Sequence, residues 1–77
     1  VLEYVKEQTS EMCLEAVKQN GHALQYVKEQ TPLIIHSLKK YNISIYSLFK
    51  KKNLIAISEN EMKKFYNVNP HLLLTLN

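Results

Sequence analysis

LEYVKEQT at residues 2–9 returns as LQYVKEQT at residues 24–31, 22 positions later and with one letter changed. Self-similarity at a fixed period of this size is typical of repeat proteins, in which one supersecondary unit is copied along the chain. The doubled octet therefore indicates a repeat domain, and the remaining sequence has to be compared with it.

The repeat weakens after Pro32 but does not vanish. Residues 14–21 align with residues 35–42 at an offset of 21, and NGHAL at residues 20–24 is echoed by NPHLL at residues 69–73. The distance between NGHAL and NPHLL is longer than two repeat periods, which implies an insertion near residues 53–57. We therefore predict one helical repeat domain over 1–77, a fragment of a longer protein, with units at about 2–23, 24–44 and a degenerate 45–77.

Apolar residues recur at helical spacing within each unit, so that they form one stripe along a helix. In the first unit the stripe is Met12, Cys13, Ala16 and Val17, and in the second it is Ile34, Ile35, Leu38 and Tyr41. A shorter stripe lies in the other half of each unit, at Leu2 and Val5, at Leu24 and Val27, and at Ile45, Leu48 and Phe49.

Each unit also contains two signals that interrupt the helix, one where a helix begins and one where a helix ends. The Thr9 and Thr31 hydroxyls suit helix N-caps, and Ser58 with Glu61 has the spacing of a capping box. We expect Asn20 and Gly21 to end the preceding helix in a left-handed cap. Two breaks per unit predict an all-α fold of short helical hairpins stacked as a small α-solenoid-like array.

The period of 22 leaves two alternatives open. It equals twice 11, which suits one long helix with a right-handed drift. It also suits Pro-punctuated helices that lie on a lipid surface. Both alternatives need about 20 unbroken helical residues, and the Asn20–Gly21 break in the middle of the unit argues against that.

The composition indicates the cellular environment of the protein more clearly than its function. The net charge of +3 comes from Lys against Glu, since the chain has neither Arg nor Asp. No apolar run is long enough to span a bilayer, and no signal peptide is recognisable. Because a single cysteine favours a reducing compartment, we expect an intracellular protein.

AVKQNGHALQYVKEQTP at residues 16–32 and SEMCLEA at residues 10–16 resemble a known repeat. The sequence is similar to domain-of-unknown-function family 4116, whose pattern is close to TPEICLEAVKQNGLALQYVKEQ and which is abundant in giant viruses of amoebae. The resemblance is good over residues 1–32 and thin from 33 to 50. It implies a tandem helical repeat of unknown function in a viral protein, located in the host-cell cytoplasm or in the virion. It transfers no catalytic residue.

No group of residues indicates catalysis, a metal or a cofactor. Cys13, His22 and His36 lack the closely spaced pair that a zinc site normally contains, so we expect Cys13 to be a small core residue. The serines lack a strand-elbow glycine and an orienting Asp, and one Gly cannot build a phosphate loop. We therefore expect no enzyme activity, no bound metal and no cofactor.

Lysines and tyrosines supply the candidate interaction surface. The candidate residues for contact with a partner are Tyr4, Tyr26, Lys39, Lys40, Tyr46, Lys50, Lys51 and Lys52. Further repeat positions that we expect to be exposed are Glu3, Gln25, Lys6 and Lys28. We expect a structural or protein-binding scaffold that contacts a protein partner, neighbouring repeats or copies of itself. The alternative is binding of nucleic acid or another polyanion by the Lys-rich segment 39–52, through basic residues interleaved with aromatic rings.

Overall fold

The structure is a computed structural model that describes residues 4–75, with side chains described as far as residue 74. Across that range the chain is helical and contains no β-strand, which confirms the all-α prediction. The α-helices are α1 (Ser10–Gln19), α2 (Pro32–Tyr41), α3 (Ile43–Lys51) and α4 (Glu59–Val68), and the 3₁₀ helices are η1 (Gly21–Tyr26) and η2 (Pro70–Thr75). No α-helix in this range exceeds ten residues, so the interpretation as one unbroken helix is wrong.

The predicted N-caps are confirmed at α1, α2 and α4. In each case a hydroxyl oxygen accepts a hydrogen bond from the backbone N–H three residues later, which satisfies one of the free donors of the first turn. The pairs are Thr9 with Met12 at 3.1 Å, Thr31 with Ile34 at 3.3 Å and Ser58 with Glu61 at 3.2 Å. Both ends of α2 lie 22 residues after those of α1, so the helix bounds keep the period of the octets and not the predicted offset of 21.

The Asn20–Gly21 break ends α1 as predicted, but the predicted left-handed cap is wrong. Asn20 is extended, with φ −151°, and Gly21 does not have a positive φ. The Asn20 side chain instead accepts from the His22 N–H and so opens η1. Gly21 is buried, and a Cβ there would lie 2.8 Å from Leu38 Cδ1 and 3.0 Å from Ile45 Cδ1. The glycine provides room for close packing of two units.

A left-handed residue does occur, at the end of α3. Asn53 has φ 59°, a conformation that Asn tolerates better than most residues. The Leu54 N–H donates to the Phe49 carbonyl at 2.9 Å, and the Asn53 N–H donates to the Lys50 carbonyl at 3.2 Å. These two bonds form a Schellman motif, which ends α3 where the sequence predicts an insertion.

The core lies between the first two helix pairs. The helix α1 packs against α2 and η1, while α2 also packs against α3 and α4. The buried cluster consists of Cys13, Val17, Leu24, Val27, Ile34, Ile35, Leu38 and Phe49. The predicted stripes supply all eight of these residues.

Other stripe positions depart from the prediction. Met12, Tyr41 and Leu48 are exposed, and Leu2 lies outside the described residues. The structure buries His36 and Ser37 instead, because α2 is covered from two sides. A helix between two neighbours buries a wider face than a single apolar stripe.

Candidate interaction surfaces

The structure divides the predicted interaction residues among separate surfaces. Tyr26 lies beside α1 in a groove near the N-terminus, and Tyr4 is exposed. The predicted lysines and Tyr46 belong to α2, to α3 or to the residue that ends α3. Glu3 lies outside the described residues.

One basic and aromatic cluster forms around Tyr46. The Lys39 Nζ lies 5.6 Å and the Lys50 Nζ 6.0 Å from the centroid of the Tyr46 ring, within the range of cation–π attraction. Lys39 is in α2 and Lys50 is in α3, so the helix pair brings together residues eleven positions apart. The predicted Lys39, Tyr46 and Lys50 therefore share one site.

This cluster borders a groove of about 440 Å³ between α2, α3 and α4, called here the lysine groove. Its apolar lining includes Ile35, Ile55 and Met62, and its polar lining adds Lys63 from α4. Lys63 is not among the residues that the sequence predicts. The lining thus combines apolar side chains with three lysines and Glu59, which suits a ligand that has both an anionic and an apolar part.

Lys50 also forms an ion pair with Glu59, with the Nζ 2.6 Å from Oε1. The hydrogen bond from Lys50 lowers the pKa of the Glu59 carboxyl, and the same bond raises the pKa of the Lys50 ammonium. Both side chains are largely exposed to solvent, where an ion pair adds little stability. An arriving anion would compete with Glu59 for Lys50.

The remaining predicted lysines lie elsewhere. Lys40 and Lys18 flank the exposed ring of Tyr41, at 5.2 and 5.8 Å from its centroid. Lys51 and Lys52 are exposed at the end of α3, where cations are favoured by the helix dipole. Within segment 39–52, the neighbouring Lys39 and Lys40 thus lie beside different tyrosines.

A buried polar pair joins α2 to α4 next to the lysine groove. The His36 Nδ1 lies 2.9 Å from the Tyr66 hydroxyl, and the two rings meet edge to face. Burial lowers the pKa of His36, and the charges of Lys40 and Lys39 lower it further. Burial raises the pKa of Tyr66. Both groups therefore favour their neutral forms, which suits a hydrogen bond inside the fold.

The octet glutamines Gln8 and Gln30 form corresponding contacts with the backbone. Gln8 donates to the Tyr26 carbonyl at 2.6 Å and accepts from the Lys28 N–H at 2.9 Å. Gln30, which is 22 residues later, donates to the Leu54 carbonyl at 3.0 Å and accepts from the Ala56 N–H at 2.8 Å.

In both cases one amide side chain binds a carbonyl and the N–H two residues further along the following connection. We call these paired contacts the glutamine clamps. Gln8 and Gln30 occupy the same place in the doubled octet. The two glutamines are not helix caps, do not belong to an apolar stripe and carry no charge. In the sequence, only their recurrence at the octet period could have indicated a shared role.

Cys13 is buried as predicted, and burial raises the pKa of its thiol. A protonated thiol is a poor nucleophile and a poor metal ligand. His22 is exposed and its ring meets Phe49 edge to face, 5.8 Å between centroids. Over the part of the chain that the structure describes, no three His, Cys, Asp or Glu side chains are grouped so that they could hold a metal ion.

Comparison with known proteins adds no relative. No family model, no curated protein and no solved structure matches the chain. Among the described helices, none combines the length and the apolar character that crossing a membrane requires.

Proposed function

We propose that this chain is a non-catalytic segment of a helical repeat protein, stacked as a small α-solenoid, which acts as a structural or protein-binding scaffold. The two glutamine clamps carry the proposal, because the same side chain of successive octets binds the same pair of backbone groups in the next connection. A contact that recurs with the sequence period is what a stack of equivalent units requires. The resemblance to family 4116 is in accord with this.

The contact of α1 with α2 supports the same proposal. Val17 and Leu38 are fully buried in one cluster, and Gly21 allows the first unit to approach α2 and α3 closely. Repeated units that contact their neighbours leave a long outer surface on which partner proteins can bind. Tyr4 and Tyr26 are exposed at equivalent positions of successive octets and are candidates for such binding.

Replacing either clamp residue is expected to loosen the junction that it spans. Gln8→Ala and Gln30→Ala each remove two hydrogen bonds to backbone groups, so each should lower the free energy of unfolding by about 1–2 kcal/mol. Urea denaturation measures that loss. Hydrogen exchange measured by NMR should show faster exchange of the Lys28 amide in the first variant and of the Ala56 amide in the second.

Gln25→Ala is the matched control, because Gln25 is an exposed glutamine on η1. Its effect should lie within about 0.5 kcal/mol of zero, as for most surface substitutions. If Gln8→Ala and Gln30→Ala are as neutral as this control, the clamps do not hold the units together and the proposed stack loses its main support.

A second candidate function is binding of nucleic acid or another polyanion through segment 39–52. The observation that favours it is the convergence of Lys39, Lys50 and Lys63 on the lysine groove, with the Tyr46 ring between the first two. Lysines can neutralise phosphates while an aromatic ring stacks on a base. The lysines of this groove, more than the whole segment, are then the binding residues.

Binding of a fluorescent single-stranded DNA or RNA oligonucleotide tests this candidate by anisotropy at several salt concentrations. The double variant Lys39→Ala, Lys50→Ala should weaken binding at least tenfold at low salt and reduce the salt slope by one to two, about one for each phosphate that is no longer neutralised. Lys51→Ala, Lys52→Ala is the control of equal charge and should retain most of the affinity. Equal reductions in both variants would indicate attraction by net charge and would contradict a site in the groove.

A further inference from the structure

The first helix pair borders an open groove, called here the N-terminal groove, whose lining contains no residue of α2. It measures about 910 Å³ and lies between the connection before α1, α1 itself and η1. Its apolar lining residues are Val5, Met12, Ala16, Ala23 and Tyr26. Met12 is 41% exposed although it belongs to a predicted core stripe.

The second unit shows what this groove looks like when it is filled. Adding 22 to Val5, Met12 and Ala16 gives Val27, Ile34 and Leu38. All three of these residues are buried, with Ile34 at 1% and Leu38 at 0% exposure. The helix pair α1–η1 covers this second face, since α1 contacts α2 and η1 contacts α3.

The backbone shows the same correspondence. Gln8 binds the Tyr26 carbonyl and the Lys28 N–H. The equivalent groups in the first octet, 22 positions earlier, are the Tyr4 carbonyl and the Lys6 N–H. Both groups belong to the connection that borders the N-terminal groove at Val5. A glutamine from another unit could clamp them in the way that Gln8 clamps its own neighbour.

We propose that the N-terminal groove is the binding site for one more helix pair of this repeat, located ahead of α1 in the same chain. The inference rests on the proposed scaffold function. The incoming pair would place residues like Cys13 and Val17 against Met12 and Ala16, and a glutamine like Gln8 on the Tyr4 carbonyl and the Lys6 N–H. The occupant is therefore defined by its chemistry, a pair with a small apolar stripe, a buried glycine and a clamp glutamine.

An extended chain tests the proposal. A second copy of residues 2–23 placed directly ahead of Leu2 keeps the period of 22 and offers the groove a matching helix pair. Because stability in repeat proteins grows with each unit interface, the thermal midpoint should rise by more than about 5 °C. Replacing the clamp glutamine of the added copy by Ala should reverse part of that rise.

Substitution of Met12 distinguishes a filled groove from a merely longer chain. Met12→Lys should shift the midpoint of the 77-residue chain by less than about 2 °C, since the side chain is exposed there, and should lower that of the extended chain by more than about 5 °C. Leu33→Lys is the control, because Leu33 is also an exposed apolar residue near the start of a helix. It should have the same small effect in both chains.

Two results would overturn the proposal. One is an extended chain whose midpoint is unchanged and in which Met12→Lys remains neutral. The other is self-association of the 77-residue chain, measured by light scattering, that Met12→Lys abolishes, because the occupant would then be a second copy. If Gln8→Ala and Gln30→Ala destabilise the chain while the extension fails, only the groove inference is overturned and the scaffold stands.

Discussion

Leu38→Ala is expected to lower the free energy of unfolding by about 2–5 kcal/mol, the range for truncating a fully buried leucine. Leu38 has no solvent exposure and lies where the first unit meets α2. The substitution removes apolar contacts and leaves a cavity that rigid neighbours fill only in part. In a domain of this size such a loss is a large share of the total stability, and urea denaturation followed by circular dichroism measures it.

Leu33→Ala is the matched control for this substitution. Leu33 belongs to the same helix and is the same residue type, but it is 42% exposed. Its truncation should cost less than about 1 kcal/mol. Equal losses of stability in the two variants would mean that α2 is not buried on the face that the structure describes.

Gly21→Ala is expected to lower the free energy of unfolding by about 1–3 kcal/mol, the usual range for overpacking a core. The new Cβ would lie 2.8 Å from Leu38 Cδ1, 3.0 Å from Ile45 Cδ1 and 3.1 Å from Asn42 Cβ. Because Gly21 does not have a positive φ, backbone strain does not contribute. Alanine would otherwise favour a helical position, so a loss of stability points to the steric overlap.

The double variant Gly21→Ala, Ile45→Val tests whether steric overlap causes the loss of stability. Removing the Ile45 Cδ1 atom relieves one of the overlaps, so the double variant should lose less stability than the sum of the two single variants. A strictly additive result, or a Gly21→Ala variant that is as stable as the wild type, would contradict close packing at this glycine. Thermal unfolding is a second measurement, with about 4–8 °C expected for each kcal/mol.

Local signals in the sequence predict the helix boundaries well. Thr9, Thr31 and Ser58 begin helices as predicted, because a cap depends only on the hydroxyl and on the three residues that follow it. The predicted role of Gly21 is wrong, because a turn glycine and a packing glycine look alike in sequence. Only the position of Leu38 and Ile45 in space separates the two cases.

Contacts between units are the part that the sequence could not predict. Nothing in its local pattern marks His36 as buried, and its partner Tyr66 lies 30 residues away. The sequence predicts one basic segment, but the angular positions of Lys39 and Lys40 on α2 turn them toward different tyrosines. Lys63 joins the lysine groove from α4 across a connection whose length does not follow the repeat.

The glutamine clamps have a consequence for how freely the residues around them can be substituted. Gln8 binds main-chain groups of Tyr26 and Lys28, and Gln30 binds the same groups of Leu54 and Ala56, although the two pairs of residues have nothing in common. Every residue offers the carbonyl, and every residue except proline offers the N–H. Substitutions in these connections other than proline therefore leave the glutamines their backbone partners.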